Sequence, residues 1–251
     1  MISLKAPNWQ IENIETILFD KDGTFIDLHY FWGKMTELRV QKIIDSFNIN
    51  HDYFEQLCLC LGYDIKSSKM LSDGITAMYS RSKIIEIFKN NLMDFGIQTT
   101  EKELEKIFDD VSTEFYKNMQ NYTKPIVSAI DFIHKLYSKG IKLGIVTSDS
   151  VESTILSLRQ FGWEHLFTSV IGRESSPHIK ESGEPTKLAL KELDANPKTT
   201  VMIGDTPMDY ISAQNANIDK TILVATGQID IETLVLTSKY TIESLDNIII
   251  Y

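Results

Sequence analysis

The chain has 251 residues, 43% hydrophobic and 24% charged, with a formal net charge of -10, enough for one large α/β domain or a core with a smaller insert. The acidic balance and the lack of any long Lys/Arg run argue against a general nucleic-acid binder. No apolar stretch approaches the ~20 residues of a membrane helix, and the N-terminus lacks the basic and apolar segments of a secretory signal, so a cytoplasmic protein is expected. The two cysteines, Cys58 and Cys60, suit neither a disulfide nor a zinc site at this spacing, and packing roles are expected.

In chain order, residues 15–19 read as a buried strand running into Asp20-Lys21-Asp22-Gly23-Thr24. From Phe31 to about Met119 strand signals give way to helical ones. Trp32, Met35, Leu38, Val40, Ile43, Ile44 and Phe47 recur near helical spacing. Phe54, Leu57 and Leu61 continue on a second helix ended near Gly62. Ser82 to Phe95 forms a third, closed by Gly96. Thr100-Glu101-Lys102-Glu103 resembles a capping box that opens a fourth. After Pro125, a helix through Ile126, Ile130, Ile133 and Leu136 ends at Gly140.

Strand and helix then alternate: strands at 142–146, 169–171, 200–203 and 221–224, helices at 151–161, 185–193 and 206–216, and a further edge strand at 240–242. This predicts an α/β fold, a Rossmann-like doubly wound parallel sheet. Because the first strand precedes the helical stretch, residues 1–27 and 122–251 are expected to form the catalytic core and 28–121 an inserted all-α cap. A ligand cleft is expected between them.

Three segments follow buried strands and end in acid, hydroxyl or glycine. They are Asp20 to Thr24, Thr147-Ser148-Asp149, and Gly204-Asp205-Thr206-Pro207-Met208-Asp209. A parallel sheet presents its site at such carboxyl ends. A rigidly held carboxylate such as Asp20 can attack phosphorus and carry a covalent phosphate. Asp22, a like charge two residues on, suits a proton donor and acceptor. Asp20 and Asp205 can converge on a magnesium ion, which takes hard oxygen ligands; taken alone, Asp205 and Asp209 read equally well as helix-capping groups. Thr147 and Ser148, at a strand end before a helix, suit a phosphate, and Lys180 supplies a neutralising charge.

Together these residues resemble the motifs of the haloacid dehalogenase superfamily of phosphohydrolases. The likeness lies in four ordered motifs, the strands between them and a helical insert after the first. It implies a Rossmann-like core with an α-helical cap, of phosphoglycolate-phosphatase type, and a reaction that uses Mg2+. It implies Asp20 as nucleophile, Asp22 as general acid/base offering its carbonyl to the metal, and Thr147 and Lys180 as phosphoryl contacts. Metal ligation falls to Asp20, Asp22 and Asp205, with Asp209 as ligand or support. Thr24 and Ser148 are expected at the substrate. Lys187 competes with Lys180 for the third motif but falls inside the following helix.

Asp22 favours a phosphatase or phosphomutase over the ion-pumping branch, which has Thr at this position. Among cap residues, His29 and Arg81 are the expected substrate contacts, with Trp32 and Lys69 as further candidates. The expected activity is hydrolysis of a small phosphate monoester, phosphoglycolate-like or a sugar phosphate, through an aspartyl-phosphate. A phosphomutase of the same family and a non-catalytic binding module are the rivals.

Overall fold

In the computed structural model, which describes residues 1–251, the chain opens on a hairpin absent from the sequence reading. Strands β1 (Ile2–Ala6) and β2 (Trp9–Ile14) pair antiparallel, and β1 also pairs with a two-residue strand at the far end of the chain, Ile249–Ile250. Ile2, Leu4 and Ala6 alternate inward, as one buried face of a sheet requires.

The next strand, β3 (Thr16–Phe19), is buried at every residue. After Asp27 the chain leaves this unit and returns at Lys124, so one unit comprises residues 1–27 and 124–251 and the other residues 28–123.

The insert contains α1 (Leu28–Phe47), α2 (Phe54–Cys60), α3 (Ile75–Met78), α4 (Arg81–Asp94) and α5 (Glu101–Lys117). It is helical apart from an antiparallel ribbon, β4 (Tyr63–Asp64) with β5 (Lys69–Met70), a departure from the wholly helical insert expected. Each strand of that ribbon is two residues long, too short to leave an alternating signature. The capping box at Thr100 forms: the Glu103 amide donates to Thr100 Oγ1 at 3.2 Å, and the Thr100 amide donates to Glu103 Oε2 at 2.8 Å. Cys58 is buried and unbridged, and Cys60 is half-buried.

The core resumes with α6 (Val127–Ser138), β6 (Lys142–Val146), α7 (Val151–Gln160), β7 (Ser169–Ile171), α8 (Glu184–Glu192), β8 (Thr200–Gly204), α9 (Pro207–Asn215), β9 (Thr221–Val224), α10 (Ile231–Leu234), β10 (Tyr240–Ile242) and β11, the terminal Ile249–Ile250 strand. Six strands form one parallel sheet in the order β10-β9-β8-β3-β6-β7. Ile17 and Phe19 pack into one apolar layer with Phe132, Ile133 and Leu136 of α6. Leu18 faces the other layer with Leu190 of α8 and Ala213 of α9. Helices therefore cover both faces, which is why the strands read as continuous apolar runs. The order reverses at β3: the chain runs outward through β6 and β7, then returns to β8 on the other side. The carboxyl end of β3 lies at this switch point, where open α/β sheets place their ligands. No helix is long and apolar enough to cross a membrane.

Candidate active site

Register brings the motifs together. Phe19 is paired with Ile145 on one side and Ile203 on the other, so the residues that follow all three strands emerge at one edge. The Asp20 amide donates to the Ile203 carbonyl at 2.8 Å, and the Thr147 amide to the Ile171 carbonyl at 2.9 Å. Just after Asp20 the chain turns sharply. The Lys21 carbonyl accepts from the amides of Thr24, Phe25 and Ile26, and Gly23 adopts φ 85°. A left-handed residue there favours glycine.

Asp20, Asp205 and Asp209 converge, one oxygen from each lying within 4.8 Å of the others. Lys180 joins them from a distant segment. Its Nζ donates to Asp20 Oδ1 at 2.5 Å and forms an ion pair with Asp209 Oδ1 at 2.6 Å. Burial disfavours the charged ammonium, but Asp20 and Asp209 outweigh that and raise its pKa. The other Asp209 oxygen accepts from the amide and hydroxyl of Thr206 at 3.0 and 2.9 Å, capping α9. Asp209 is thus fully engaged within the protein. Asp205 is not: Oδ1 receives only a 3.4 Å hydrogen bond from Thr24, and Oδ2 is buried with no donor.

Burial pushes the Asp20 carboxyl up to about 7; Lys180 pulls against this, and Asp209 and Asp22 add to it. Burial and then the Asp20 and Asp209 charges push Asp205 well above the carboxylate range. Both shifts describe carboxylates crowded together with too little positive charge.

Asp22 belongs to a second ionic group. Lys21 is fully buried, with Nζ 2.7 Å from Asp22 Oδ1 and 2.9 Å from Asp149 Oδ2. Burial opposes its charge, but the two carboxylates prevail and raise the lysine pKa. Asp22 itself is raised, by burial first, with Lys21 pulling it down. Asp149 ends lowered, because Lys21 and the Ser153 hydroxyl together overcome its burial. Thr147 Oγ1 accepts from the Asp149 amide at 3.1 Å, which leaves its own O–H to donate elsewhere. Ser148 beside it is exposed.

Some expected contacts have other partners. Thr24 is fully buried, and its hydroxyl addresses Asp205 rather than open space. In the insert, His29 Nδ1 accepts from the Met70 amide at 3.1 Å. Arg81 is paired with Asp109 at 2.6 Å. Trp32 is half-buried with its ring edge-on to Phe31, and Lys69 is exposed. Lys187 pairs with Glu184 on the surface of α8, leaving Lys180 as the lysine at the carboxylates.

Sequence reasoning passed over Lys21, Asp149 and the loop after β9. That loop crosses the site: Thr226 Oγ1 donates to the Gly23 carbonyl at 2.5 Å. A Cβ placed on Gly227 would stand 2.6 Å from Asp205 Cγ, as would one on Gly23. The usable signal was Thr226-Gly227 after a buried strand, a fourth strand end at the same edge.

A divalent cation fits this chemistry. Five aspartates (20, 22, 149, 205 and 209) face two lysines (21 and 180), an excess of three negative charges when all are ionised. The buried Asp205 Oδ2 has no donor, and two glycines keep Cβ atoms away from it. Oxygen donors alone suit magnesium.

Comparison with known proteins agrees with the architecture. Residues 17–224 match the family model of haloacid dehalogenase-like hydrolases. The pyrophosphatase PpaX of Oceanobacillus iheyensis is 24% identical over 206 residues, covering 82% of this chain and 81% of that protein. A predicted phosphoglycolate phosphatase from Haemophilus somnus superposes with a TM-score of 0.70 at 17% identity, covering 94% of this chain and 97% of its own. The β-phosphoglucomutase of Clostridium difficile gives a TM-score of 0.58 at 18% identity, over 93% and 92%. With a matching family model across most of its length and the fold to accompany it, the chain belongs to the haloacid dehalogenase-like hydrolases and is an enzyme of that family.

Proposed function

We propose that the protein is a magnesium-dependent phosphatase that hydrolyses a small phosphate monoester through an aspartyl-phosphate on Asp20. The observation that carries this reading is the strand-end cluster: Asp20 at the topological switch point, one oxygen on Lys180, beside an Asp205 oxygen without a donor. Asp20 and Asp205, with the Asp22 carbonyl that the family pattern implies, would hold the magnesium, and Asp209 would steady Lys180 beside them. A bound magnesium supplies charge neutralisation at the phosphoryl oxygens.

The protein's own groups account for the proton and bond changes. An Asp20 carboxylate oxygen forms a bond to phosphorus as the ester P–O bond breaks. The Asp22 carboxyl, kept protonated more readily by its burial, gives its proton to the departing alkoxide. Asp22 then takes a proton from water as that water attacks phosphorus, which frees phosphate and restores Asp20. Lys180 and the Thr147 hydroxyl stabilise the charge on the transferring group. Lys21, held by Asp149, fixes the Asp22 side chain in place.

Phosphate release from a panel of small esters, in magnesium or EDTA, tests this. Phosphoglycolate and sugar phosphates head the panel, and inorganic pyrophosphate joins it because the sequence relatives are pyrophosphatases. Magnesium-dependent turnover should fall at least about 10³-fold in Asp20→Asn, as expected on losing a nucleophile. A folded, magnesium-loaded wild type that releases phosphate from no substrate would overturn the proposal. Net transfer between sugar hydroxyls would instead identify a mutase, and no magnesium shift in melting would point to a binding module.

A further inference from the structure

The insert holds a charge that the phosphatase chemistry leaves unused. Arg39 lies mid-way along α1, in the stripe that also buries Met35, Val40 and Ile43. It is 7% exposed, and its Nε has no hydrogen-bond partner. No carboxylate pairs with it. Its guanidinium carbon sits over the Phe108 ring, 4.3 Å from the centroid. The Arg81 guanidinium lies over the same ring at 6.0 Å. Arg81 has the Asp109 carboxylate at 2.6 Å, so two cations share one ring and one carboxylate.

Burial, with Arg81 adding to it, brings Arg39 down to about 10, so it remains charged at neutral pH. The ring face offsets part of the burial cost, but it engages the guanidinium plane and leaves the buried Nε–H without an acceptor at its edge. A purely packing arginine would be expected to attract a carboxylate to that edge. Here a second cation, Arg81, shares the ring and opposes the charge, and among titratable groups the Tyr116 phenol favours it.

We propose that Arg39, with Arg81 beside it, forms an oxyanion-binding site within the insert that takes a phosphate or carboxylate group. The planar donor fork matches the spacing of two oxygens on either anion. The sequence pattern points to Arg81 for a substrate carboxylate; the structure pairs that guanidinium with Asp109 and leaves the buried Arg39 Nε without an acceptor. The anion has two sources, a second acidic group on the substrate or a free anion. The first source rests on the phosphatase reading, whereas the site itself does not.

The chain has only four arginines, Arg39, Arg81, Arg159 and Arg173, so its Nε–H spectrum is simple to assign with Arg39→Lys and Arg81→Lys. In the full-length protein, titration with inorganic phosphate should move the Arg39 signal saturably and leave Arg159 and Arg173 still. Arg39→Met, which keeps bulk on Phe108, tests the source. If the anion is part of the substrate, the kcat/KM preference for esters with a second acidic group over esters of neutral alcohols should fall about 10- to 100-fold, the worth of a charge-assisted hydrogen bond. A moving Arg39 signal with an unaltered preference supports the site and assigns it to a free anion. An Arg39 signal that stays still in phosphate overturns the site, leaving a packing arginine on Phe108. The spectrum needs no turnover, so failure of the phosphatase reading is seen separately.

Discussion

Gly227→Ala tests the site through its least conspicuous residue. The added Cβ would lie 2.6 Å from Asp205 Cγ, whereas carbon atoms in contact sit about 3.5–4.0 Å apart. Either the loop after β9 or the Asp205 carboxylate must move by about 1 Å. Asp205 is 1% exposed, and Gly23 crowds the same carboxylate next to Gly227, so neither has free room. Overpacking of this kind costs about 1–3 kcal/mol, which for a chain of this size lowers Tm by about 2–12 °C. Magnesium tolerates little displacement of a ligand, and a 1 Å misplacement can cost about 10²-fold in rate. The variant should therefore melt earlier, lose most of its magnesium-induced Tm shift and turn over about 100-fold more slowly. Gly162→Ala is the control. It has φ 70° and nothing within 4 Å, so it carries left-handed strain of roughly 1–2 kcal/mol but should keep the magnesium shift. A Gly227→Ala protein that matches wild type in melting, magnesium response and turnover would refute the argument.

Two further outcomes follow from the charge cluster. Without metal, folded Asp20 holds its proton to about pH 7, whereas the unfolded chain releases it near 3.8. The native state therefore binds more protons between those values, and stability in EDTA should fall as pH rises from about 4 to 7, by on the order of 4 kcal/mol if Asp20 acts alone. Asp205 is raised too and adds in the same direction, while lowered Asp149 acts only at more acidic pH. Denaturant melts at pH 5 and 8 check this, and an Asp20→Asn protein with the same pH slope as wild type would contradict it. Lys180→Met leaves Asp20 and Asp209 buried without their countercharge. It should cost about 3–5 kcal/mol at pH 8 and less at pH 5, where protonation relieves the repulsion; equal losses at both pH values would count against it.

The core was legible because its signals are local. The strand at Thr16–Phe19 is buried at every position and gives a continuous apolar run, and the residues after each such run sit at the site edge by topology alone. Lys180 was harder, since its partner Asp20 is 160 residues away and only the motif order singled it out. The terminal strand β11 was not legible at all: Ile249–Ile250 finds its partner at Leu4–Lys5, and no local pattern records a pairing across the whole chain. The contacts of His29 and Arg81 within the insert were not legible for a related reason. Their type suits a substrate, and residue type alone does not record that the Met70 amide and the Asp109 carboxylate also contact them. Arg39 escaped notice because a charged residue among Met35, Val40 and Ile43 reads as a break in the apolar stripe, and only the ring of Phe108 shows that it is buried.

The two lysines divide the site into two parts with different charge ratios. Lys21 is held between Asp22 and Asp149; Asp149 ends below the carboxylate range, whereas burial leaves Asp22 raised. Lys180 must serve Asp20 and Asp209 while Asp205 crowds the same space, and there Asp20 and Asp205 end raised. The first part sets one lysine against two carboxylates and holds Asp22 in place, which suits a group that must present its proton at a fixed position. The other is short of positive charge and keeps a buried oxygen without a donor, which suits a cation that arrives from solution. Moving a lysine into the second part would stabilise the apoprotein and remove the reason for a metal to bind. On the proposed function, the deficit at Asp20 and Asp205 is where stability is given up for catalysis, and magnesium binding should restore it most strongly at high pH, where protons no longer compete for the same oxygens.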